Sequence, residues 1–304
     1  MSIAIASPCS ARQRMGPRLI AGLSDIAHHY EGFFIDQWGV LHDGRALFPG
    51  VAETLARLHA AGKRVVLLSN SGRRAAYNDR RLAEMGVEMR HLAGSLTSGE
   101  VAWRLLRERA GPPFSQLGRR CFLFTRFGDL GVVEGLDLEL VEDVDQADFL
   151  FITGVDSPGK SLSDYLPVIE RAAVRRIPAI CSNPDRVAPV GDQLALAPGA
   201  LAEAYERLGG PVIYLGKPSP SIFAAGMAEL PGIARERILM VGDSMAHDIV
   251  GAKSFGIDAC LILSGIHREA FADAGEAQQL ISAACTLGER YKAMPDFLMH
   301  RLTW

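Results

Sequence analysis

The fold is decided most directly by the stretch Phe33-Phe34-Ile35-Asp36-Gln37-Trp38-Gly39-Val40-Leu41. Three apolar residues lead into a carboxylate, and a glycine follows shortly after it. This order is typical of a buried strand that ends in a polar side chain and then turns. We therefore expect Asp36 to lie at the carboxyl end of a strand.

Three further segments combine apolar strands with polar ends. They are Val65-Val66-Leu67-Leu68-Ser69-Asn70, Gly216-Lys217-Pro218 and Met240-Val241-Gly242-Asp243-Ser244-Met245-Ala246-His247-Asp248. Together with the first stretch, they place carboxylates, a hydroxyl and a lysine at the ends of strands. The candidate functional residues are these strand-end side chains.

Alternating strand and helix patterns on either side of a long middle segment predict a mostly parallel sheet covered by helices. The first part has predicted helices over Leu19–Tyr30, after Pro49-Gly50 and over Arg73–Met85, with strands over Arg64–Leu68 and His91–Ser95. The last part has predicted strands over Val212–Leu215, Ile238–Val241 and Ala259–Leu263, with helices near Ser219–Leu230 and Ala246–Phe255. We expect both parts to form one sheet.

The middle segment is predicted to be an inserted domain. It has strand patterns at Cys121–Phe124, Phe149–Thr153 and Ile177–Ser182, a helix over Leu162–Arg175 and another near Leu201–Leu208. Pro112-Pro113 and Gly209-Gly210-Pro211 lie near its ends, where linkers are expected. The predicted domains are a core of residues 1–95 and 212–304 and an insertion of residues 96–211.

Composition limits the class of protein. Of 304 residues, 48% are hydrophobic and 22% are charged, which suits a folded chain of two domains. The formal net charge is −3 without a basic block, and no apolar run approaches the ~18 residues of a membrane-spanning helix. We expect no nucleic-acid partner and no membrane. A cytoplasmic location is expected because the first residues lack the order of a signal peptide.

The cysteines also favour a cytoplasmic location. The five of them are scattered, odd in number and free of Cys-x-x-Cys spacing. Such thiols are predicted to be reduced packing residues rather than metal ligands or nucleophiles. They are Cys9, Cys121, Cys181, Cys260 and Cys285.

In their matching order, the four strand-end segments make the chain resemble the haloacid dehalogenase-like hydrolases, and within them the NagD-like group. The resemblance covers about residues 31–266 and includes Cys181-Ser182-Asn183-Pro184-Asp185 and Pro198-Gly199-Ala200-Leu201 in the insertion. It implies a Rossmann-like, doubly wound parallel core. It also implies that the insertion is a C2-type α/β cap that closes over Asp36. The implied activity is a Mg²⁺-dependent phosphatase for a small phosphorylated metabolite.

The resemblance also implies roles for individual residues. Asp36 would be the nucleophile that forms an aspartyl-phosphate. Ser69 and Asn70 would bind the phosphoryl group, and Lys217 would neutralise its charge and hold Asp36 ionised. In the cap, Asn183 and Asp185 are candidate substrate-binding residues, to which Arg186 could contribute.

A Mg²⁺ site follows from the acidic residues. Carboxylates gathered beside Asp36 would repel one another without a cation, and Mg²⁺ prefers oxygen ligands. The expected ligands are the side chains of Asp36, Asp243 and Asp248, and the resemblance to the family implies the backbone carbonyl of Trp38 as a further ligand. Asp248 has a second interpretation, as an acidic residue that the dipole favours at a helix start.

Trp38 departs from the family pattern Asp-x-Asp-Gly-Val, which has an aspartate at this position. That aspartate would protonate the leaving group and later activate water. An indole cannot act as an acid in the useful pH range, and losing a general acid typically costs ~10²–10⁴ in rate. His42 has a suitable intrinsic pKa to stand in, but an outward-facing loop histidine is an alternative interpretation.

Three functions therefore stay open. The first is a phosphatase that is slow or restricted to good leaving groups, and the second is a catalytically silent protein that binds a phosphorylated ligand. The third is a haloacid dehalogenase, whose relatives carry an aromatic residue here but need no metal and hence no Asp243. The sequence names no substrate. It assigns no role to residues 267–304, whose apolar side chains could dock on the core or on a second subunit of a homo-oligomer.

Overall fold

Two sheets and one hairpin organise residues 16–190 and 193–304, which the computed structural model describes. The strands are β1 (Arg18–Leu19), β2 (Gly32–Asp36), β3 (Arg64–Ser69), β4 (Gly94–Thr97), β5 (Arg120–Phe124), β6 (Glu139–Leu140), β7 (Phe149–Ile152), β8 (Ala179–Cys181), β9 (Val187–Val190), β10 (Gln193–Leu196), β11 (Val212–Tyr214), β12 (Ile238–Gly242), β13 (Asp258–Ile262) and β14 (Phe297–Met299). The helices are α1 (Val51–Ala60), α2 (Ala75–Glu84), α3 (Ser98–Glu108), α4 (Leu166–Arg175), α5 (Pro198–Arg207), α6 (Pro220–Ala228), α7 (Val250–Phe255) and α8 (Ala277–Tyr291). Strands covered by helices confirm the predicted α/β class.

These elements divide into two compact units. Among the described residues, the first consists of residues 16–67 together with Met85–Gly94 and Gly226–Trp304. The second consists of Leu68–Glu84 and Ser95–Ala225. The core and cap boundaries given above, at residues 95, 96, 211 and 212, stay predictions.

The seven-stranded sheet contains the strand that ends in Asp36. Its spatial order is β1-β14-β13-β12-β2-β3-β4. Strand β2 pairs in parallel with β12, with Ile35 opposite Val241. Every residue of β2 is buried, because an inner strand has neighbours on both sides and its faces pack under helices. The continuous apolar run of the sequence is the consequence.

Helix α1 shows how the covering helices form. Val51, Leu55 and Leu58 are buried, at the spacing that puts side chains on one helical face. Its start follows Gly50, whose φ of 85° lies in the left-handed region that favours glycine. This helix begins where the sequence predicted.

The helix predicted over Leu19–Tyr30 is wrong. Leu19 belongs to β1, and two short 3₁₀ turns, Leu23–Asp25 and Ala27–His29, follow it. The backbone of this segment bonds to the C-terminal segment instead: Ile20 N–H donates to Leu298 O, and Leu23 N–H donates to Thr303 O, each at 2.9 Å. Tertiary pairing with residues far along the chain therefore overrides the local helical pattern.

The five-stranded sheet lies in the second unit, with the parallel order β11-β8-β7-β5-β6. Successive residues of β7 enter opposite hydrophobic clusters. Leu150 and Ile152 pack in one cluster, and Phe149 and Phe151 pack in the other. A parallel sheet with both faces covered requires such an all-apolar strand.

The placement of the predicted strand Val212–Leu215 in the first sheet is wrong. Strand β11 pairs in parallel with β8, with Ile213 opposite Ile180. The preceding Gly209-Gly210 is the short turn that leads from α5 into β11, so the chain returns directly to the edge of the same sheet. Gly210 lies so close to Tyr205 that an added Cβ would be 2.2 Å from the ring.

The C-terminal segment docks on the first unit, as one of the two predicted alternatives. Strand β14 pairs with both β13 and β1, and Leu302 is buried.

Among the described cysteines, Cys121, Cys181, Cys260 and Cys285 are free thiols, and burial raises the pKa of Cys181 to about 12. Cys9 lies outside the described residues. No helix within residues 16–190 and 193–304 combines the length and apolar character needed to span a membrane.

Candidate active site

The pairing of β2 with β12 explains why Asp36 and Asp243 meet. Ile35 and Val241 are opposite each other in parallel strands, so the residues that follow them emerge at the same edge of the sheet. Asp36 ends β2, and Asp243 follows β12 directly. Two segments separated by about 200 residues thus deliver carboxylates to one place.

Asp248 completes a cluster of three carboxylates. One oxygen of each of Asp36, Asp243 and Asp248 lies within 4.8 Å of the others. Asp36 is 9% exposed, Asp243 is 4% exposed and Asp248 is fully buried. Three buried carboxylates at this separation repel one another strongly unless a cation lies among them. The donor set, all oxygen, fits Mg²⁺.

Asp243 is held between two glycines. A Cβ added to Gly39 would lie 2.2 Å from Asp243 Oδ2, and one added to Gly265 would lie 2.2 Å from both Cβ and Oδ2 of Asp243. The Ile266 N–H donates to Asp243 Oδ2 at 2.8 Å. The carboxylate is therefore fixed by backbone from two loops. Gly39 belongs to the motif around Asp36, whereas no pattern in the sequence predicted the roles of Gly265 and Ile266.

Asp248 is fixed in the same manner by its own loop. The Ser244 N–H donates to Asp248 Oδ2 at 3.0 Å, and a Cβ added to Gly242 would lie 2.1 Å from Asp248 Cγ. A π-helical turn over Met245–Ile249 carries Asp248 inward. Its predicted role as an ordinary helix-start residue does not explain why a fully buried carboxylate is aimed at two others.

His267 anchors the loop that carries Asp243 and Asp248, a role that no sequence pattern predicted. Its Nε2 accepts a hydrogen bond from the Met245 N–H at 3.1 Å. Burial, and then the nearby positive charge of Arg290, lower the pKa of His267. A neutral ring keeps the lone pair that this hydrogen bond requires.

Trp38 lies in a tight loop after β2 and is 43% exposed. The indole Nε1 would be only 3.2 Å from a Cβ added to Gly44, so the ring packs along its own loop. In that loop, His42 is buried and its Nδ1 accepts from the Gly44 N–H at 2.9 Å. The interpretation of His42 as an outward-facing loop histidine is therefore wrong. A catalytic role of His42 stays a prediction.

In the second unit, Asn70 and Lys217 hold each other through two reciprocal hydrogen bonds, and a third joins Asn70 to Asp185. The Asn70 amide nitrogen donates to Lys217 O at 3.1 Å and to Asp185 Oδ1 at 2.8 Å, and Asn70 Oδ1 accepts from the Lys217 N–H at 2.7 Å. Asp185 in turn donates its N–H to Asn183 Oδ1 at 3.1 Å. These four predicted residues form one network, in which the Asn70 side chain positions Lys217.

Lys217 and Ser69 are placed by the end of β3. Lys217 is 2% exposed, and its ammonium donates to Leu68 O at 3.1 Å. Ser69 Oγ accepts from the Ser71 N–H at 3.2 Å. Because the hydroxyl is the acceptor in that bond, its proton can be donated to another oxygen. These contacts suit a lysine and a serine that bind an anion, which stays a prediction.

Comparison with known proteins gives a consistent family. A model described as haloacid dehalogenase-like hydrolase matches residues 33–139, and a second HAD-hydrolase-like model matches residues 214–284. The chain is 31% identical to human chronophin over 271 residues, which is 82% of this chain and 86% of the relative. It is 27% identical to the ribonucleotide monophosphatase NagD of Escherichia coli, over 75% of this chain and 85% of the relative.

A solved structure supports the same grouping. A haloacid dehalogenase-like hydrolase from Brucella suis matches with a TM-score of 0.78 and 30% identity, over 93% of this chain and 100% of that chain. Asp36 lies within the range matched by the first family model. Asp243 and Asp248 lie within the range matched by the second. The chain therefore belongs to the haloacid dehalogenase-like hydrolases, within their NagD-like group.

Proposed function

We propose that this hydrolase is a Mg²⁺-dependent phosphatase that acts on small phosphomonoesters with good leaving groups. The observation that carries the proposal is the buried cluster of Asp36, Asp243 and Asp248 at the end of two adjacent parallel strands. The name of the E. coli relative, a ribonucleotide monophosphatase, supports a phosphate monoester as the class of substrate.

Asp36 is the nucleophile in this proposal. Its carboxylate attacks phosphorus, the bond from phosphorus to the leaving oxygen breaks, and an aspartyl-phosphate forms. Water then attacks phosphorus and releases inorganic phosphate and the original carboxylate. The location of Asp36 at the rigid end of a buried strand supports this role, because attack requires a well-oriented nucleophile.

Asp36, Asp243, Asp248 and the carbonyl of Trp38 would hold the cation. When bound, Mg²⁺ would neutralise negative charge on the carboxylates and the phosphoryl group. The backbone contacts of Gly39, Gly265 and Ile266 with Asp243 support a preorganised site. The Trp38 carbonyl is retained as a ligand because it does not depend on the side chain.

Ser69 and Lys217 would bind the phosphoryl oxygens. Ser69 would donate its hydroxyl proton, and the buried Lys217 ammonium would balance the charge that develops in the transition state. Their predicted partnership with Asp36 rests on the resemblance to the family and on the strand-end position of each residue.

Trp38 restricts the range of substrates. Without a carboxylic acid at this position, a leaving group has to depart as its own anion, so its stability controls the rate. Aryl and acyl phosphates would react, whereas alkyl phosphates such as sugar phosphates would be nearly inert.

A silent binding protein is the second candidate, since the same missing acid could abolish turnover. The backbone contacts that fix Asp243 in the carboxylate cluster disfavour a haloacid dehalogenase, because such an enzyme needs no metal and hence no Asp243.

A substrate screen tests the proposal. Aryl phosphates, acyl phosphates and phosphorylated metabolites are incubated with the protein with and without Mg²⁺, and released phosphate is measured. We expect turnover of aryl phosphate that requires Mg²⁺ and disappears in Asp36→Asn. Turnover that is unchanged in Asp36→Asn would contradict the assigned nucleophile. Binding of a phosphorylated ligand without any turnover would favour the silent binding protein.

A further inference from the structure

A polar cleft of about 160 Å³ lies within the second unit, at the carboxyl edge of the five-stranded sheet. Thr125 and Arg126 follow β5, Thr153 follows β7, and Asn183 lies just beyond β8; Arg73 lines another side. The carboxyl edge of a parallel sheet is where α/β proteins bind ligands. The volume is similar to that of a cavity that holds one benzene ring.

The walls of the cleft are in direct backbone contact. A Cβ added to Gly72 would lie 2.0 Å from Thr153 O, and one added to Gly154 would lie 2.6 Å from Arg126 N. Both glycines line the cleft. Such close approach shows that the backbone segments that carry these walls pack tightly against each other.

The cleft carries a surplus of positive charge. Arg73 and Arg126 line it together with Asp129, and the Arg73 Nε lies 3.1 Å from Asp129 Oδ2. Among the residues that line the cleft, that ion pair leaves the charge of Arg126 as the surplus. Asp156, outside the lining, also interacts with Arg126, but its carboxylate is paired with Lys160 at 3.0 Å. The Arg126 guanidinium donates to Ser157 O at 3.2 Å, which uses only one of the five N–H groups that a guanidinium has.

The charged donors that line the cleft are the guanidinium groups of Arg73 and Arg126, and both threonine hydroxyls already donate to backbone carbonyls. Thr125 Oγ1 donates to Asp129 O at 2.6 Å, and Thr153 Oγ1 donates to Phe124 O at 3.0 Å. Recognition in the cleft therefore depends mainly on the guanidinium groups. A planar guanidinium pairs best with a carboxylate, through two parallel hydrogen bonds.

The cleft is close to the predicted phosphate-binding serine along the chain. Ser71 lines the cleft and is two residues beyond Ser69, so the two Cα atoms are at most ~7 Å apart. A ligand whose phosphate contacts Ser69 can therefore extend its other end into the cleft. The length that this requires is that of a single ring or a chain of a few carbons.

We propose that the cleft binds a carboxylate on the leaving group of the substrate, with Arg126 as its main contact. This inference rests on the proposed phosphatase function and narrows its substrate class. The substrate is a small phosphomonoester whose leaving group is stabilised, as an aryl, enol or acyl group, and also carries a carboxylate. Arg73 contributes less because Asp129 already neutralises it.

A matched pair of aryl phosphates tests the proposal: 4-carboxyphenyl phosphate and its carboxamide, which has the same shape without the charge. The carboxamide is the better leaving group electronically, so chemistry alone favours it. We expect kcat/KM of the wild-type protein to favour the carboxylate by about ten- to a hundred-fold. Equal values, or a preference for the carboxamide, would overturn the proposal.

Variants assign the preference to the cleft. In Arg126→Gln the ratio of kcat/KM for the carboxylate to that for the carboxamide should fall to one or below. In Asp129→Asn, which removes the negative partner of Arg73 but keeps an oxygen for the Gly131 N–H, the ratio should rise. Arg119→Gln is the control, because Arg119 is exposed, pairs with Asp137 and does not line the cleft. A full preference retained in Arg126→Gln would contradict the assignment.

A binding measurement separates this inference from the proposed function. Asp36→Asn cannot form the aspartyl-phosphate, so calorimetry can compare the two compounds without turnover. We expect the same preference for the carboxylate in Kd. If the wild-type protein hydrolyses neither compound, the phosphatase proposal fails, and the Kd ratio still decides the cleft. If both are hydrolysed but Kd shows no preference, only the cleft proposal fails.

Discussion

At the scale of single residues, the proposed chemistry depends most on Trp38. Its side chain is 43% exposed and packs along its own loop beside Gly44. The ring therefore supports little of the core, and the carboxylates at 36, 243 and 248 keep their cluster in its presence. In the proposed mechanism the tryptophan therefore replaces a proton donor and leaves the carboxylate cluster in place.

Replacing Trp38 by aspartate should restore proton transfer. We predict that Trp38→Asp raises kcat for an alkyl phosphate by ~10²–10⁴, the usual contribution of a general acid. The loss of stability should be smaller than the ~3–5 kcal/mol of a fully buried tryptophan. Steady-state kinetics and a thermal melt measure the two effects.

Trp38→Asn is the matched control for this substitution. It removes the ring and introduces a side chain of the same size as aspartate, but without an acid. Alkyl-phosphate hydrolysis should stay at the wild-type level. An equal gain in both variants would show that the ring blocks the site sterically, which would contradict the argument from proton transfer.

At the scale of elements, the three clustered carboxylates are placed by loops that come from separate strands. The loop after β2 presents Gly39 to Asp243, and the loop after β13 presents Gly265 and Ile266 to the same carboxylate. The side chain is thus positioned by backbone that cannot rearrange without moving the ends of two strands. This arrangement predicts that the glycines matter for cation binding.

Gly265→Ala should weaken cation binding. The added Cβ would lie 2.2 Å from Asp243, so the carboxylate has to move. By analogy with other outer-shell changes, the affinity for Mg²⁺ should fall about ten- to a hundred-fold. Calorimetric titration measures it. Gly275→Ala is the control, because its Cβ would meet no atom closer than 4.0 Å. Equal affinities in the two variants would contradict the proposed role of Asp243.

The elements also show what the sequence could predict. Long apolar runs such as Phe33–Ile35 and Val65–Leu68 were predicted correctly as strands, because burial on both faces leaves a clear pattern. The helix prediction over Leu19–Tyr30 failed because the backbone of this segment bonds to Leu298 and Thr303, which lie about 280 residues further along the chain. Val212–Leu215 was recognised as a strand, but an apolar pattern does not specify which sheet a strand joins.

At the scale of the whole molecule, the site residues come from segments spread over more than 200 residues. The sequence predicted Asp36, Asp243 and Asp248, since each follows a recognisable strand within a known motif. It did not predict the reciprocal hydrogen bonds of Asn70 with Lys217 or the contacts of Gly265, because these depend on the packing of distant loops. The motif residues were accessible to sequence reasoning, and their supports were not.

The dependence of rate on the leaving group tests the central claim, that Trp38 leaves the enzyme without a general acid. The measurement is kcat/KM for a series of phosphomonoesters from nitrophenyl to alkyl phosphates, plotted against the pKa of the leaving group. We predict a steep decline for the wild-type protein and a shallower one for Trp38→Asp. If the wild-type protein hydrolyses alkyl phosphates as fast as aryl phosphates, another residue supplies the proton and the account of Trp38 is wrong.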